Sequence, residues 1–467
     1  MTATVKTEAY DVIILGAGPG GYVAGIRAGQ LGLKACIIER DTLGGVCLNR
    51  GCIPTKSLIH QAGIFHSRLE LEKMGLAIDS KKFDYGYVQD QSRAAVRSLV
   101  KGVEYLLKKN KVDHIHGTAR IVSGNSVMLD DQTEITGKNI VIATGSRPSQ
   151  IQGFEFDEKQ VLSSNGILSI NELPDSLIIL GAGAIGCEFA YIMNRFGVKV
   201  HLVEMEKHIL PVEDARVVAV LERSFKDSGI NVITGARANS LEKASGKVAV
   251  SLTDKDGNSL KIDAEKVLCV FGRTPNTDKI GLENIGLKTE KGYIPVGDYY
   301  QTLIGGVYAV GDVVKTPLLA HVASKEGEIV SEYIAGRSPQ SRIDLNEIPS
   351  AVYCEPQLAS FGLRENQAKE QNIPYKKAIY PYRGVGKAVA IGKIEGVVKT
   401  LYDPETNEIL GAHIVGHDAT ELIHEILLAK TSGLLPENIA GMIHAHPTMS
   451  EVVMEHMRAV DGQPIHM

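Results

Sequence analysis

Two glycine-rich segments of the same design constrain the fold of this chain more than any other feature. One follows the apolar run YDVIIL and reads GAGPGG, and the other follows SLIIL and reads GAGAIG. Their GxGxxG glycines are Gly16, Gly18 and Gly21 in the first segment and Gly181, Gly183 and Gly186 in the second. A tight strand-to-helix turn without a ligand is one explanation. However, two such turns in βαβ context predict two dinucleotide-binding folds, with pyrophosphate on the helix amides.

An acidic residue completes each repeat. Glu39 and Glu204 each stand 23 residues after the first glycine of their segment, at the end of the next apolar run. A carboxylate there accepts a ribose hydroxyl, and it would repel the 2′-phosphate of NADP. Glu204 therefore predicts that the second fold binds NAD.

The length of 467 residues predicts about three domains of ~150 residues each. The strings KNIVIATGSRPS around Gly145 and EKVLCVFGRTPN around Gly272 close the two repeats. The predicted parts are a first dinucleotide domain at 1–150, a second at 151–274, a central segment at 275–342 and an α+β module at 343–467. In that module we expect the stretches AVAIGKIEGVVKTLYD and EILGAHIVG to be strands and TELIHEILLAKTSG to be a helix.

Composition and charge exclude several classes of protein. The net charge of -5 argues against a nucleic-acid or membrane-surface partner. The uncharged run from Val12 to Ile26 is too short for a bilayer, and MTATVKTEAYD does not resemble a signal peptide, so we expect a cytoplasmic protein. Six cysteines are too few for a disulfide scaffold, and any bridge should be catalytic or redox-sensing.

One cysteine pair lies in the segment GGVCLNRGCIPTK, where Cys47 and Cys52 are five positions apart. On an undistorted helix this spacing means ~7.5 Å of rise and ~140° of rotation, beyond disulfide reach. A bridge therefore needs Cys47 in a turn before a helix that begins near Cys52, and Gly44 and Gly45 permit that turn. Two buried free thiols are the alternative. Cross-linking such a short loop adds little stability. A bridge here would therefore be present for its chemical reactivity.

The C-terminal segment HAHPTMSE supplies His444, His446 and Glu451. Disulfide exchange needs a group that accepts and returns a thiol proton, which an imidazole can do, and a carboxylate can fix its tautomer. A metal pair at His444 and His446, or ordinary surface histidines, are the alternatives that these residues alone leave open.

The combination of these motifs with GRTPN and TLIGGVYAVGD resembles the class I flavin-dependent pyridine nucleotide disulfide oxidoreductases over essentially the whole chain. The resemblance implies an α/β fold with two Rossmann-like dinucleotide-binding domains, for FAD and then NAD, and a C-terminal α+β dimerisation domain. It implies that the segment 275–342 completes the FAD site. It also implies a homodimer in which each subunit completes the active site of the other.

Residue roles follow from the same resemblance. Cys47 would exchange with substrate, Cys52 would face the flavin as the charge-transfer thiol, and His446 of the other subunit would be the acid and base that Glu451 orients. The implied FAD residues are Gly16, Gly18, Gly21, Glu39, Lys56, Gly117, Gly145, Asp312 and Ala320. The implied NAD or nicotinamide-side residues are Gly181, Gly183, Gly186, Glu188, Glu204, Gly272 and Arg273. No metal site is expected.

The implied reaction oxidises protein-bound dihydrolipoamide to lipoamide and reduces NAD to NADH. The implied partners are the lipoyl domains and core acyltransferase of 2-oxo acid dehydrogenase complexes, and the glycine cleavage system is a further candidate. NADP-dependent relatives such as glutathione reductase are disfavoured by Glu204 and by the lack of an Arg in VHLVEMEK. Mercuric reductases and large thioredoxin reductases are expected to carry terminal cysteines, and here none follows Cys354. A docking subunit with an idle redox centre is the alternative from another class.

Overall fold

The computed structural model describes residues 9–79, 82–244 and 246–466. These residues form two compact units. The first contains the described residues up to Ser57, together with Gly86–Ser149 and Gly272–Ile343. The second contains Leu58–Tyr85, Gln150–Phe271 and the described residues from Asp344 onward. Each unit contains one of the two glycine-rich repeats.

The first unit is built on a seven-stranded sheet. Tyr10–Leu15 lies between Ala35–Glu39 and Glu134–Ile142, and it pairs with both in parallel. Val307–Ala309 adds a further parallel strand beside Glu134–Ile142. The remaining strands of this unit are Asp113–His116, Ala119–Ser123, Ser126–Leu129 and the small antiparallel pair Ser146–Pro148 with Arg273–Pro275. The central parallel strands carry mainly apolar, buried side chains because both faces of such a sheet are covered, whereas the edge strand Asp113–His116 is polar and largely exposed.

Helices position the functional loops of the first unit. The helices Pro19–Gln30 and Ala320–Ile334 pack against each other. Gly45–Arg50 is a short helix that ends before Gly51, whose backbone is not helical. Two long helices, Cys52–Lys73 and Tyr85–Lys109, have residues in both units. Single 3-10 turns occur at Leu282–Ile285, Asp298–Tyr300 and Gly311–Val313.

The second unit contains a five-stranded parallel sheet around Ser176–Leu180. Its other strands are Val161–Leu162, Lys199–Val203, Asn231–Ile233 and Lys266–Cys269, and its helices are Ser164–Ile167, Ala184–Arg195 and Ala215–Asp227. An antiparallel sheet of Arg237–Ala244, Lys247–Thr253 and Ser259–Ala264 is inserted before the last parallel strand. No sequence motif indicated this inserted sheet.

The C-terminal part of the second unit is an antiparallel sheet covered by helices. Its strands, in spatial order, are Ser350–Val352, Gln357–Gly362, Ile409–Gly416, Val397–Tyr402 and Lys376–Pro381. The helices are Glu365–Glu370, Gly386–Ala390, Ala419–Thr431, Pro436–Ala440 and Glu451–Val460, with 3-10 turns at Leu345–Glu347 and Tyr382–Gly384. Helices and strands together enclose a core of aliphatic side chains with the aromatic rings of Phe361, Tyr380 and Tyr382.

The prediction of one strand over 388–403 was wrong. Only Val397–Tyr402 is extended, whereas the chain before it forms the helix Gly386–Ala390 and a turn. Gly392 has a φ of +68° in that turn, a conformation that a continuous strand excludes. The α/β fold class with two dinucleotide-binding folds and a C-terminal α+β module is confirmed. The domain boundaries at 150, 274 and 342 stay predictions.

No helix within residues 9–79, 82–244 and 246–466 is both long enough and apolar enough to span a bilayer.

Candidate functional site

The first glycine loop lies between the strand Tyr10–Leu15 and the helix Pro19–Gln30. A Cβ on Gly16 would lie 2.4 Å from the carbonyl oxygen of Ala143, and one on Gly21 would lie 1.9 Å from the carbonyl oxygen of Gly16. A Cβ on Gly18, in contrast, would face open space. Two glycines thus close the turn while the middle one leaves room beside the helix amides, which fits the pyrophosphate of a dinucleotide.

Glu39 is fixed at the end of the neighbouring strand. Its Oε2 accepts a hydrogen bond from the amide of Ala17 at 2.8 Å, and its Oε1 accepts one from the amide of Asp41 at 2.8 Å. The carboxylate is therefore held against the glycine loop, and its other lone pairs remain for ribose hydroxyls.

The second loop repeats this geometry in the second unit. Gly181 and Gly186 are as tightly packed as their counterparts, with Cβ positions 2.6 Å from the carbonyl oxygen of Val270 and 1.9 Å from that of Gly181. Gly183 faces open space. Oε2 of the buried Glu204 accepts from the amide of Ala182 at 2.7 Å, as Glu39 does from Ala17. Both loops therefore fit the same kind of ligand.

Cys47 and Cys52 form a disulfide with a Cα–Cα distance of 4.7 Å. The expectation that a helix begins near Cys52 holds, but Cys47 does not lie in a turn, because it is within the short helix Gly45–Arg50. Gly51, at φ −151° and ψ −110°, interrupts the helical path and brings the two cysteines within bridging reach.

The redox pair is packed directly onto the first glycine loop. Gly44 and Gly45 have φ values of +92° and +58°, which glycine adopts without strain. A Cβ on Gly45 would lie 2.6 Å from the Cα of Gly18. The helix that carries Cys47 is therefore anchored beside the place where the first dinucleotide fits.

Asp312 lies in the same unit, within the 3-10 turn Gly311–Val313. Its Oδ2 accepts a hydrogen bond from the hydroxyl of Ser146, and the Nε of Arg273 lies 3.7 Å from the same oxygen. Arg273 also donates to the hydroxyl and carbonyl oxygens of Ser146, at 2.7 and 2.8 Å. The sequence predicted Arg273 on the nicotinamide side, and the structure places it in the unit of the first sheet, beside Asp312.

Three of the predicted cofactor glycines have open space beside their backbone. Cβ atoms on Gly145 and Gly272 would meet nothing within 4 Å, and one on Gly117 would meet only the side chain of Leu129 at 3.9 Å. Ala320 is the first residue of the helix Ala320–Ile334. Lys56 is half-buried in the second turn of its helix.

Glu188 is a buried residue of the helix that follows the second glycine loop. Its Oε1 accepts a hydrogen bond from the amide of Tyr353 at 3.2 Å. The structure thus joins Glu188 to the first residue after the strand Ser350–Val352, within the second unit.

His446 and Glu451 form a pair at the start of the helix Glu451–Val460. The Nδ1 of His446 lies 2.8 Å from Oε1 of Glu451, while Oε2 accepts from the amide of Thr448 at 2.9 Å. Burial alone would raise the pKa of Glu451, but these hydrogen bonds hold it below its usual value. The imidazole is 75% exposed.

His444 does not share a site with His446. Its Nε2 lies 2.8 Å from Oε1 of Glu425, on the helix Ala419–Thr431, and its side chain is 2% exposed. Because the two imidazoles pair with different carboxylates, this geometry favours a structural role for His444 over the metal pair that the sequence left open.

Sequence reasoning missed Ser146 and Glu326. Ser146 joins Asp312 to Arg273, and Glu326 accepts from the amide of Gly311 at 2.6 Å. A signal for Glu326 existed, because helical periodicity places it on the apolar face of its helix with Val322, Ala323 and Val330.

The comparisons with known proteins agree with this geometry. The family described as pyridine nucleotide-disulphide oxidoreductase matches residues 10–327, and its dimerisation domain matches residues 348–457. The chain belongs to this family. It is a flavoprotein disulfide oxidoreductase with FAD and NAD as its cofactors.

Individual relatives refine the comparison. The dihydrolipoyl dehydrogenase of Bacillus subtilis is 40% identical, with 98% of this chain and 99% of that protein covered. The crystal structure of LpdA from Mycobacterium tuberculosis has a TM-score of 0.89 at 26% identity, and the match covers 96% of this chain and 99% of that one. The HOCl-induced flavoprotein disulfide reductase RclA of Escherichia coli, solved as a Cu(II) complex, has a TM-score of 0.87 at 26% identity over 97% of this chain and 100% of that one.

Proposed function

We propose that this protein is a dihydrolipoyl dehydrogenase, which oxidises protein-bound dihydrolipoamide and reduces NAD. The observation that carries the proposal is the Cys47–Cys52 disulfide, because the short helix that carries Cys47 begins at Gly45, which is packed against Gly18 of the first dinucleotide loop. A disulfide in this place can exchange electrons with a flavin. Relatives that are 40% identical over nearly the whole chain bear the name of this activity.

The thiol chemistry begins at Cys47. A substrate thiolate attacks the Cys47 sulfur, forms a mixed disulfide and releases Cys52 as a thiolate. The second substrate thiol then attacks the substrate sulfur of that mixed disulfide, so oxidised lipoamide leaves and both cysteines are reduced. An FAD held at the first glycine loop would supply the acceptor for the electron pair of this dithiol, and NAD at the second loop would supply the final hydride acceptor. The net products are lipoamide, NADH and one proton.

His446 is the proposed acid and base of the exchange, from the opposite subunit of a homodimer. It removes the proton of the attacking substrate thiol and returns protons as products leave. The hydrogen bond from Nδ1 to Glu451 favours the tautomer that leaves Nε2 free to accept that proton. Glu451 thereby orients the ring and stabilises its protonated form.

The chain's own residues fit both cofactors. FAD would fit beside the loop at Gly18, with the carboxylate of Glu39 at its ribose and open space at Gly117 and Gly145. Asp312, which Ser146 orients by a hydrogen bond, would bind its ribityl chain. The loop at Gly183 and the carboxylate of Glu204 suit NAD. Lys56, Ala320, Glu188, Gly272 and Arg273 keep their predicted cofactor roles as part of this proposal.

The proposal extends to partners and location. Lipoyl domains and the core acyltransferase of a 2-oxo acid dehydrogenase complex would present dihydrolipoamide to the enzyme, and the glycine cleavage system is a further candidate. A cytoplasmic location is part of this proposal. Turnover with free dihydrolipoamide separates an active enzyme from a docking subunit whose redox centre is idle.

The spectrum of the purified protein tests the thiol and flavin assignments together. We expect a yellow protein with one FAD per subunit, and partial reduction by dihydrolipoamide should produce the long-wavelength absorption of a thiolate beside an oxidised flavin. The Cys52→Ser variant should lose this absorption because it lacks the donor thiolate. Cys36→Ser, at a buried thiol of the same unit, is the control that should keep it. Retention of the band in Cys52→Ser would assign the donor to another residue.

Nucleotide choice tests Glu204. Replacing it in Glu204→Arg removes the acceptor of the ribose 2′-hydroxyl and adds a partner for a 2′-phosphate. We expect NAD binding to weaken by about 1.5 to 3 kcal/mol and NADP binding to improve. The Kd of each nucleotide should be measured by titration, with Glu222→Arg, a similar charge change on the helix Ala215–Asp227, as control. An unchanged NAD preference would show that Glu204 does not face the ribose.

A further inference from the structure

Glu326 is a fully buried acidic residue in the middle of the helix Ala320–Ile334. Its Oε2 accepts a 2.6 Å hydrogen bond from the amide of Gly311. Its Oε1 is buried and lacks a hydrogen-bond partner within the described part of the chain. Burying a carboxyl group costs free energy that an apolar side chain of similar size would not cost. The presence of a glutamate here therefore suggests that its hydrogen bond to Gly311 has a role.

The position of Glu326 is set by close packing of two helices. A Cβ on Gly327 would lie 2.4 Å from the carbonyl oxygen of Gly20, and the same site contacts Ala24. Gly20 and Ala24 belong to the helix Pro19–Gln30 that begins at the first glycine loop. Glu326 is therefore fixed relative to the loop that fits the pyrophosphate.

Gly311 directly precedes Asp312, and two hydrogen bonds hold the turn that contains both. Gly311 has a φ of +71°, and a Cβ there would approach that of Ala323 at 3.2 Å. The Glu326 carboxyl group accepts from the Gly311 amide, while the Ser146 hydroxyl donates to the Asp312 carboxylate. These two contacts fix the backbone and the side chain of the turn separately.

The surroundings of Glu326 favour a neutral carboxyl group. Burial raises its pKa to about 7 and the nearby Asp312 carboxylate acts in the same direction, while the hydrogen bond from the Gly311 amide opposes this. Tyr300 is near enough for Glu326 to contribute to its raised pKa, whereas Gly20 and Ala24 from the adjoining helix cannot ionise. A neutral isostere should therefore replace it well.

We propose that Glu326 is a positioning residue for the flavin: by fixing the Gly311 amide it sets the direction in which Asp312 meets FAD. The inference rests on the proposed role of Asp312 in the FAD site. It adds that the length of the residue 326 side chain and its acceptor oxygen determine how tightly FAD is held.

Three substitutions separate these properties. Glu326→Gln keeps both the length and an acceptor oxygen, so FAD affinity should stay within about threefold of wild type. Glu326→Leu removes the acceptor, and Glu326→Asp withdraws it by one methylene, so both should raise the Kd of FAD about tenfold or more, as expected for the loss of one buried hydrogen bond. Glu328→Leu, at an exposed glutamate of the same helix, is the matched control and should change nothing.

The readout is the Kd of FAD, from flavin fluorescence during reconstitution of the apoprotein, together with the melting temperature of each apoprotein. If Glu326→Leu does not fold, the Kd of FAD for Glu326→Asp is compared with that for Glu326→Gln instead. In an Asp312→Ala background, either substitution should add less than twofold to the Kd, because the residue acts through Asp312. Wild-type FAD affinity in Glu326→Asp, or an unreduced effect in the Asp312→Ala background, would overturn the inference. Unchanged FAD affinity in Asp312→Ala alone would instead overturn the proposed FAD site.

Discussion

Mixing two inactive variants should restore about a quarter of wild-type activity with dihydrolipoamide. Cys47→Ser homodimers lack the exchange thiol, and His446→Ala homodimers lack the acid and base, whose loss should slow turnover by about 100-fold or more. Unfolding and refolding the two together produces mixed dimers. If His446 serves the opposite subunit, each mixed dimer has one intact site and one doubly defective site.

The expected fraction follows from random pairing. About half of the dimers are mixed, and each contains one intact site out of two, which gives about a quarter of wild-type activity. Refolding each variant alone under the same conditions is the control. No recovery, in a preparation whose mixed dimers are verified by mass spectrometry of differently tagged subunits, would contradict the shared site.

Lys399→Met should lower the free energy of unfolding by about 3 to 5 kcal/mol. Lys399 is 2% exposed, and its Nζ lies 2.7 Å from oxygens of both Asp214 and Glu365. Removing the cation leaves these carboxylates facing each other. Asp214 also caps the helix Ala215–Asp227 by accepting from the amide of Arg216 at 2.9 Å, so it cannot turn away without losing that bond.

The loss should depend on pH. Burial alone would raise the pKa of both carboxyl groups, but His413 and Lys399 lower that of Asp214, and Lys377 and Lys399 lower that of Glu365. In wild type their pairing therefore stabilises the fold above the ordinary values of 3.8 and 4.5 and is lost as the pH falls below them. In Lys399→Met burial dominates, the carboxyl groups hold protons longer, and the destabilisation should be smaller at pH 5 than at pH 8.

Urea denaturation followed by circular dichroism at both pH values measures this effect. Lys377→Met is the matched control, because Lys377 contacts the same Glu365 from an exposed position and should cost less than about 1 kcal/mol. Equal effects of the two substitutions would show that the buried pairing of Lys399 contributes no more than a surface ion pair.

The sequence predicted most accurately where a chemical requirement fixes both residue type and spacing. The loops at Gly16 and Gly181 were predictable because only glycine can approach a carbonyl oxygen as closely as these turns require. The predicted carboxylates of Glu39 and Glu204 lie against the two loops for a different reason. Each lies at or just after the end of a strand that is paired in register with the strand before its loop, which places the carboxylate beside that loop.

Features that depend on distant residues were not predictable in the same way. The break at Gly51 decides the geometry of Cys47, and a glycine in a helical pattern does not by itself indicate which φ and ψ it adopts. The environment of Arg273 depends on pairing between Ser146–Pro148 and Arg273–Pro275, which are far apart in the chain. The burial of Lys399 depends on its ion pair with Asp214, a residue far away in the sequence. The pattern of residues along its own strand does not indicate such a partner.

The most direct test of the central claim is the stoichiometry of dihydrolipoamide oxidation by the purified protein under anaerobic conditions. With FAD bound and NAD in excess, we predict one NADH for each dihydrolipoamide consumed, much slower turnover with NADP, and none in Cys47→Ser. An FAD-loaded, folded protein that forms no NADH from dihydrolipoamide, or that oxidises it equally well after Cys47→Ser, would contradict the account.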